Sequence, residues 1–331
     1  MTAQLRVFCL GATGTIGQAT VRALVQRGYE VVCLVRERAG VRRRLAPLDS
    51  ERLLSGATLR VGEVTDPASL EHDGFRGERF DALVSCLASR TGAPKDAWDI
   101  DYRAHCTALA AARHAQVSQV VLLSAICVQK PLLAFQQAKL AFEQLLVESG
   151  IRYSIVRPTA FFKSLCGQID RVKAGKPFLV FGDGRLTACK PISDADLGAY
   201  LADCLHDQRR WNRILPIGGP GDAITPLEQG ERLFALLGRP PRIKHVPIGL
   251  LDGIIGVLGA LGRVVPALAN KAELARIGRY YATESMLVLD PNSGRYDAGA
   301  TPSTGTETLF EYYARLLHGG IAPERGDHAV F

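Results

Sequence analysis

None of the eight cysteines in this chain forms a C-x-x-C pair, which excludes the usual spacing of a zinc ribbon or a thiolate-held iron–sulfur cluster. Cys9, Cys33, Cys86 and Cys127 instead lie in or at the ends of apolar runs, as reduced core thiols do, and no metal site is expected. The longest apolar stretch, Gly253 to Gly262, is about half of the ~20 residues that a membrane-spanning helix needs. A net charge of +7 over 331 residues comes without a long basic helix or a basic run interleaved with aromatics. That excludes nucleic acid as the partner and favours anionic small molecules. No internal repeat and no low-complexity segment is visible. Met1 to Arg6 leads straight into an apolar run without the pattern of a signal or transit peptide. Together with the reduced thiols, this sets the expectation of a cytoplasmic protein.

What is present begins with Gly11-Ala12-Thr13-Gly14-Thr15-Ile16-Gly17, between the apolar run Val7 to Leu10 and a helical pattern. Strand, tight turn and helix is the context of a dinucleotide-binding glycine motif. Gly11 suits a sharp exit from the strand, Gly14 leaves room for a pyrophosphate, and Gly17 permits close packing of the new helix. The helix start then offers N–H groups and positive dipole to phosphate, with Thr13, Thr15 and Ile16 in contact range. An ordinary strand-to-helix turn is the alternative; the position near the N-terminus favours the cofactor.

Strands are expected near 5–10, 30–36, 58–62, 81–87, 119–124 and 152–157, with helices near 15–27, 41–54, 97–115 and 133–149. This alternation predicts an α/β fold, a Rossmann-like doubly wound parallel sheet of order 3-2-1-4-5-6, with a smaller C-terminal substrate-binding lobe. The rhythm breaks near residue 158. The division expected is a nucleotide domain over 1–158, to which later segments return, and a substrate lobe with the C-terminal tail over 159–331.

The second strand ends at Arg36, where a site for NAD usually carries an acid that accepts from the ribose 2′-hydroxyl. A guanidinium there suits a 2′-phosphate, which makes NADPH the expected cofactor, with Arg38 assisting. Arg42, Arg43 and Arg44 read equally well as a solvated helix face. Gly62-Glu63-Val64-Thr65-Asp66, after the third strand, resembles the G-D-V-T-D segment that lies beside the adenine in short-chain dehydrogenases, with Glu63 in place of the usual Asp. That likeness implies Glu63 and Val64 as adenine contacts, while helix capping is the alternative for Glu63 and Asp66. Ser85, Cys86 and Leu87 end the fourth strand near the nicotinamide ribose.

The fifth strand ends at Ser124, and Phe135-Gln136-Gln137-Ala138-Lys139 follows. Most short-chain dehydrogenases place a serine, a tyrosine and, one helical turn later, a lysine here, and this chain has Phe135 at the tyrosine position. Phenylalanine neither gives nor takes a proton, so carbonyl–alcohol chemistry by that route is in doubt. Ser124 and Lys139 remain as the catalytic candidates, Lys139 to bond the nicotinamide ribose and bring positive charge to the reacting centre. A lone lysine on an exposed helix would carry no such meaning without Ser124 and the glycine turn beside it.

Leu123-Ser124-Ala125-Ile126-Cys127-Val128-Gln129-Lys130-Pro131, Arg157-Pro158-Thr159-Ala160-Phe161-Phe162-Lys163-Ser164-Leu165, Phe181-Gly182-Asp183-Gly184 and Ala188-Cys189-Lys190-Pro191-Ile192-Ser193 add a more specific likeness. With Leu215 to Gly221, Gly278 to Ala282, Glu284 to Pro291 and the tail Gly326 to Phe331, they closely resemble the NADPH-dependent divinyl chlorophyllide a 8-vinyl-reductases, atypical short-chain enzymes of the NmrA and isoflavone-reductase kind. The resemblance implies reduction of the 8-vinyl group of a divinyl chlorophyllide or protochlorophyllide to ethyl, in chlorophyll or bacteriochlorophyll synthesis. Its substrate is then a magnesium tetrapyrrole, and, since plant members of that family carry a transit segment that is not visible here, the resemblance also implies a bacterial cytoplasmic enzyme.

The same resemblance puts Pro158, Thr159 and Phe161 with the cofactor, and Phe135, Phe161, Phe162, Lys163 and Lys190 with the pigment. The lysines are candidates for its propionate. Ile248 to Leu268 is either a core segment or a mobile cover for the macrocycle, and His245 is either a magnesium contact or structural. The proton is left between Lys139, Lys190 and water. Peripheral membrane contact and oligomeric state stay open. Two other readings share the fold: an NADP-sensing regulator without catalysis, and an isoflavone-reductase-like enzyme on a smaller aromatic substrate.

Overall fold

In a computed structural model, which describes residues 4–36 and 54–319, the first apolar run forms strand β1 (Arg6–Leu10) with every residue after Arg6 buried. It continues through helix α1 (Thr15–Gln26), β2 (Glu30–Val35), β3 (Thr58–Val61), β4 (Ala82–Ser85), helix α2 (His105–His114), β5 (Gln119–Leu123), helix α3 (Ala134–Glu148) and β6 (Arg152–Pro158). These strands run parallel, with Val7 opposite Val31 on one side and Ala82 on the other. Continuous valine and leucine runs are what a sheet covered on both faces requires. The order is β3-β2-β1-β4-β5-β6, and a seventh strand, Arg213–Ile217, lies beyond β6. That strand is an addition to the six expected, contributed after the sequence rhythm has broken.

The helix expected over 97–115 is not continuous. It begins at Pro94–Ala97, widens into a π-helical turn at Trp98–Ala104 and only then becomes α2. Such widening inserts a residue without disturbing the apolar pattern, so periodicity does not reveal it, and it turns side chains inward that a regular helix would place elsewhere. The helix expected over 41–54 falls, except for its last residue, outside the described residues.

The chain divides into two compact units. One comprises Met1–Ser89, Pro94–Arg157 and Asp194–Leu215, and the other Arg90–Ala93, Pro158–Ser193 and Pro216–Phe331. In the first, α1 packs against helix α4 (Asp194–Asp203) so closely that a Cβ on Gly198 would lie 2.6 Å from the Ala19 carbonyl carbon. Its core joins Phe8, stacked on Phe75 at 4.1 Å, to aliphatic residues from β1 to β6. In the second, strands Phe178–Phe181 and Ile243–Val246 pair in parallel. Helices α5 (Pro226–Leu236), α6 (Ile248–Gly262), α7 (Pro266–Thr283) and α8 (Leu309–His318) complete it. Capping boxes start α5 (Thr225 with Glu228) and α8 (Thr308 with Glu311), satisfying N–H groups that the first helical turn leaves over. Phe162, Phe178, Leu233, Phe234 and Tyr313 form the core of this unit.

Candidate active site

The glycine turn is built as its three glycines require. Gly11 has φ +71°, and a Cβ there would lie 2.5 Å from the carbonyl carbon of Cys86, so the turn passes against the end of β4. A Cβ on Gly17 would lie 2.1 Å from the Gly11 carbonyl oxygen; Gly17 thus lets α1 close onto the turn itself rather than onto the sheet. Gly14 differs. Its φ of −72° suits any residue, and an added Cβ would meet only the Gly11 carbonyl at 3.4 Å. Protein packing gives no reason for glycine at this exposed position, whereas the approach of a ligand does. The α1 start has no side-chain cap and no acid in its first turn, the condition an anion needs there. Gln18 steadies the turn through its amide, which donates to the Thr13 carbonyl at 2.9 Å.

Around this turn the strand ends fall in order. Arg36 is exposed directly after β2, while Arg38 and the 42–44 cluster lie outside the described residues. After β3, Asp66 accepts from the Ala68 N–H at 3.0 Å as the cap of the Pro67–Ser69 turn, and the Glu63 carboxylate is tied to the Thr65 hydroxyl at 3.0 Å. The capping alternative accounts for Asp66, whereas Glu63 is held within its own turn and caps no helix. The Val64 side chain is buried in the core, so it offers a ligand no side-chain surface. At the end of β4, burial pushes the Cys86 thiol up to about 12 and leaves it a packing group. Ser85 is buried and shares a 2.9 Å hydrogen bond with His105 Nε2. Burial, and after it the charge of Lys139, push His105 down to about 4. The ring is neutral; its Nδ1 donates to the Ile100 carbonyl at 3.0 Å, and its Nε2 accepts the Ser85 proton.

Two ion pairs on successive turns of α3 define the rest of this half. Lys139 Nζ lies 2.9 Å from Asp101 Oδ1, on the π-helical turn, where the carboxylate is fully buried. The same oxygen accepts from the Ser89 N–H at 3.1 Å, while Asp101 Oδ2 is buried with no hydrogen-bond partner. One turn further, Glu143 takes the Arg157 fork through both oxygens and also accepts the Ser124 hydroxyl proton. Ser124 is therefore buried with its proton engaged, which separates it from the role of an open catalytic hydroxyl. Phe135 is half-buried in the first turn of α3.

In the second unit, Pro158 and Thr159 are buried, and the Thr159 hydroxyl donates to the Lys190 carbonyl. The Lys190 ammonium donates to the Thr301 carbonyl at 3.0 Å and to the Ser303 hydroxyl at 3.3 Å, which fixes the side chain in place. Phe161 and Lys163 are half-buried. Phe162 is a correction to the pigment-contacting set: its ring is in the core, 5.4 Å from that of Tyr312. His245 Nδ1 donates to the Gly182 carbonyl at 2.8 Å, the structural alternative. No residue of α6 is buried, so its reading as a core segment is also corrected.

A family described as NAD(P)H-binding matches residues 11–208. A chloroplastic divinyl chlorophyllide a 8-vinyl-reductase of Zea mays is 51% identical over 331 residues, covering 98% of this chain and 82% of its own. Its namesake in Arabidopsis thaliana is 48% identical over 328 residues, with 96% and 78% covered. The chain belongs to the divinyl chlorophyllide a 8-vinyl-reductase family. Among solved structures, an NADPH-dependent quinone oxidoreductase of Escherichia coli in complex with NADPH shares the fold, at TM-score 0.68 and 18% identity over 94% of this chain and all of its own.

Membership of this family corrects the expected location. These relatives are chloroplastic by name, which points to a plastid and away from the bacterial cytoplasm. The family motif around Ser124 and Lys139 does not disclose the partners that hold them. Asp101, His105, Glu143 and Arg157 are the residues that sequence reasoning missed. Asp101 sits in a segment of ordinary helical pattern, and a carboxylate there reads as solvated surface.

Proposed function

We propose that this chain transfers hydride from NADPH to the 8-vinyl group of divinyl chlorophyllide a, giving the 8-ethyl pigment of chlorophyll biosynthesis, with Lys139 as its catalytic cation. The observation that carries the site assignment is the Lys139–Asp101 ion pair at 2.9 Å, one turn beyond a phenylalanine that replaces the usual tyrosine acid. The open edge at Thr13 and Gly14, and the uncapped, acid-free start of α1, fit a dinucleotide pyrophosphate. Arg36, joined by Arg38, is assigned to the 2′-phosphate, and Glu63 with the Val64 backbone to the adenine side. Ser85, Cys86 and Leu87 are assigned to the nicotinamide ribose, with Pro158, Thr159 and Phe161 among the cofactor contacts. NADPH, when bound, supplies the hydride.

Asp101 holds Lys139 through one oxygen, leaving other N–H groups of the ammonium for the ribose hydroxyls and for charge that develops on the substrate. A vinyl group conjugated to a macrocycle spreads that charge into the ring and takes its proton on carbon, so no alcohol or carbonyl oxygen has to be served. Phe135 thereby becomes intelligible as an apolar surface for the pigment. On the second unit, assigned to substrate recognition, Phe161 offers an aromatic edge and Lys163 a cation for the propionate. Lys190, bonded to Thr301 and Ser303, positions its own segment.

Purified protein incubated with NADPH and divinyl chlorophyllide should convert it to a product two hydrogens heavier by mass, with the accompanying absorbance shift. NADPH binding with an unchanged pigment would overturn the reading in favour of a sensor.

A further inference from the structure

Helix α6 presents an exposed apolar stripe that the reaction does not explain. Leu250, Ile254, Val257 and Leu261 follow one another at helical spacing along it, and Val264 extends the line in the turn just after it, each between 40% and 83% exposed. The neighbouring line Leu251, Ile255 and Leu258 is only half-buried on a helix that pairs with α7, where Gly262 comes so close that a Cβ would lie 2.8 Å from the Ala269 nitrogen. One side of this hairpin is thus packed and the other open. The open side is a contiguous apolar line rather than singly scattered apolar residues, and such a line marks an interaction surface.

The charge around the stripe has one sign. From Gly253 to Ala272 there is no carboxylate, while Arg263 and Lys271 are exposed near the tip, beside Val264. The two acids that flank the segment are each held by an arginine of α7, Asp252 by Arg279 and Glu273 by Arg276. An apolar face with uncompensated cations at its end complements an anionic lipid surface. A second copy of the same face offers Arg263 and Lys271 no carboxylate to meet, since the segment from Gly253 to Ala272 carries none. Fifteen residues of helix reach only about 22 Å, against the ~30 Å of a hydrocarbon core, and no helix among the described residues is long and apolar enough to cross a membrane.

We infer that the α6–α7 hairpin docks this chain onto an anionic bilayer, α6 lying in the plane of the interface with Val257, Leu261 and Val264 among the acyl chains. The inference stands on the exposed surface of the second unit and not on the reaction proposed above.

Flotation with vesicles of equal parts phosphatidylglycerol and phosphatidylcholine, without pigment, tests it. The wild-type chain should float with these vesicles and much less with phosphatidylcholine alone. Val257→Asp with Val264→Asp should lower the bound fraction about tenfold or more, and Arg263→Glu with Lys271→Glu should do so at low salt, with NADPH binding retained in every variant. Equal flotation on neutral vesicles, or apolar variants that float like the wild type, would overturn it. So would a dimer in sedimentation that Val257→Asp dissociates without any change in flotation. A rise in pigment KM as the only effect of the variants would instead make the hairpin a substrate cover.

Discussion

Two successive turns of α3 carry buried ion pairs of opposite polarity, and their hydrogen bonding separates them. Glu143 is closed: both oxygens meet Arg157, and one also takes the Ser124 proton. The Lys139 pair is open. Asp101 engages Lys139 and the Ser89 N–H through a single oxygen, its second oxygen has no partner, and the ammonium keeps donors to offer. A closed pair fixes β5, α3 and β6 to one another, and nothing is left over for chemistry. An open pair beside a neutral His105, at the carboxyl ends of the strands, retains the charge and valence that catalysis uses.

The largest effect expected from breaking this comparison is on rate. Lys139→Ala should lower kcat about a hundredfold or more, equivalent to about 2.7 kcal/mol of transition-state support. Because the single change leaves Asp101 buried without its cation, the double variant Lys139→Ala with Asp101→Asn separates rate from folding. It should recover stability over the single variant in urea unfolding while turnover stays low. Turnover within a few fold of wild type in either variant would remove Lys139 from the catalytic role.

The closed pair should answer in stability instead. Glu143→Ala leaves Arg157 partly buried and Ser124 without its acceptor, a loss of about 2 kcal/mol once the residual hydration of Arg157 is allowed for. The shift should appear in the unfolding midpoint, with KM for NADPH little changed in the protein that remains folded. A large fall in kcat at full stability would instead make the Ser124–Glu143 pair part of the chemistry.

Cofactor choice gives a smaller, differential effect at a position outside both pairs. Arg36→Glu replaces an exposed phosphate partner with a like charge, and should weaken NADPH by about tenfold, or roughly 1.4 kcal/mol, while NADH is hardly affected. Equal weakening of both cofactors by titration would count against a 2′-phosphate contact at Arg36.

Much of the first unit was legible because its signals are local. The glycine turn, the six strands and Lys139 one turn after Phe135 each follow from spacing within one segment, and the strand order follows from their alternation with helices. What stayed hidden depends on distance or on register. Asp101 meets Lys139 from a π-helical turn, whose register the apolar pattern does not announce. Of the adjacent Phe161 and Phe162, the core takes the second, a choice made by a short 3₁₀ turn whose register no periodicity announces. The glycine-rich α6 reads as core by composition, and only its partner helix decides that one face stays open.

The smallest expected effect sharpens the same comparison. Phe135→Tyr would restore the residue that most short-chain dehydrogenases carry one turn before the lysine, on the same face of α3 as the open pair. The ring is half-buried, so a phenolic hydroxyl can reach water and should cost little stability. In a carbonyl reductase such a hydroxyl would raise the rate by serving the substrate oxygen. In the reduction proposed here the acceptor is a carbon–carbon double bond, its developing charge lies in the macrocycle, and the proton is delivered to carbon, so the added donor has no oxygen to meet. kcat should therefore remain within about twofold of wild type, with at most a modest rise in pigment KM from the more polar surface. A tenfold gain in kcat would mean that a proton donor at position 135 limits the reaction, and the open pair at Lys139 and Asp101 would then be an incomplete account of the site.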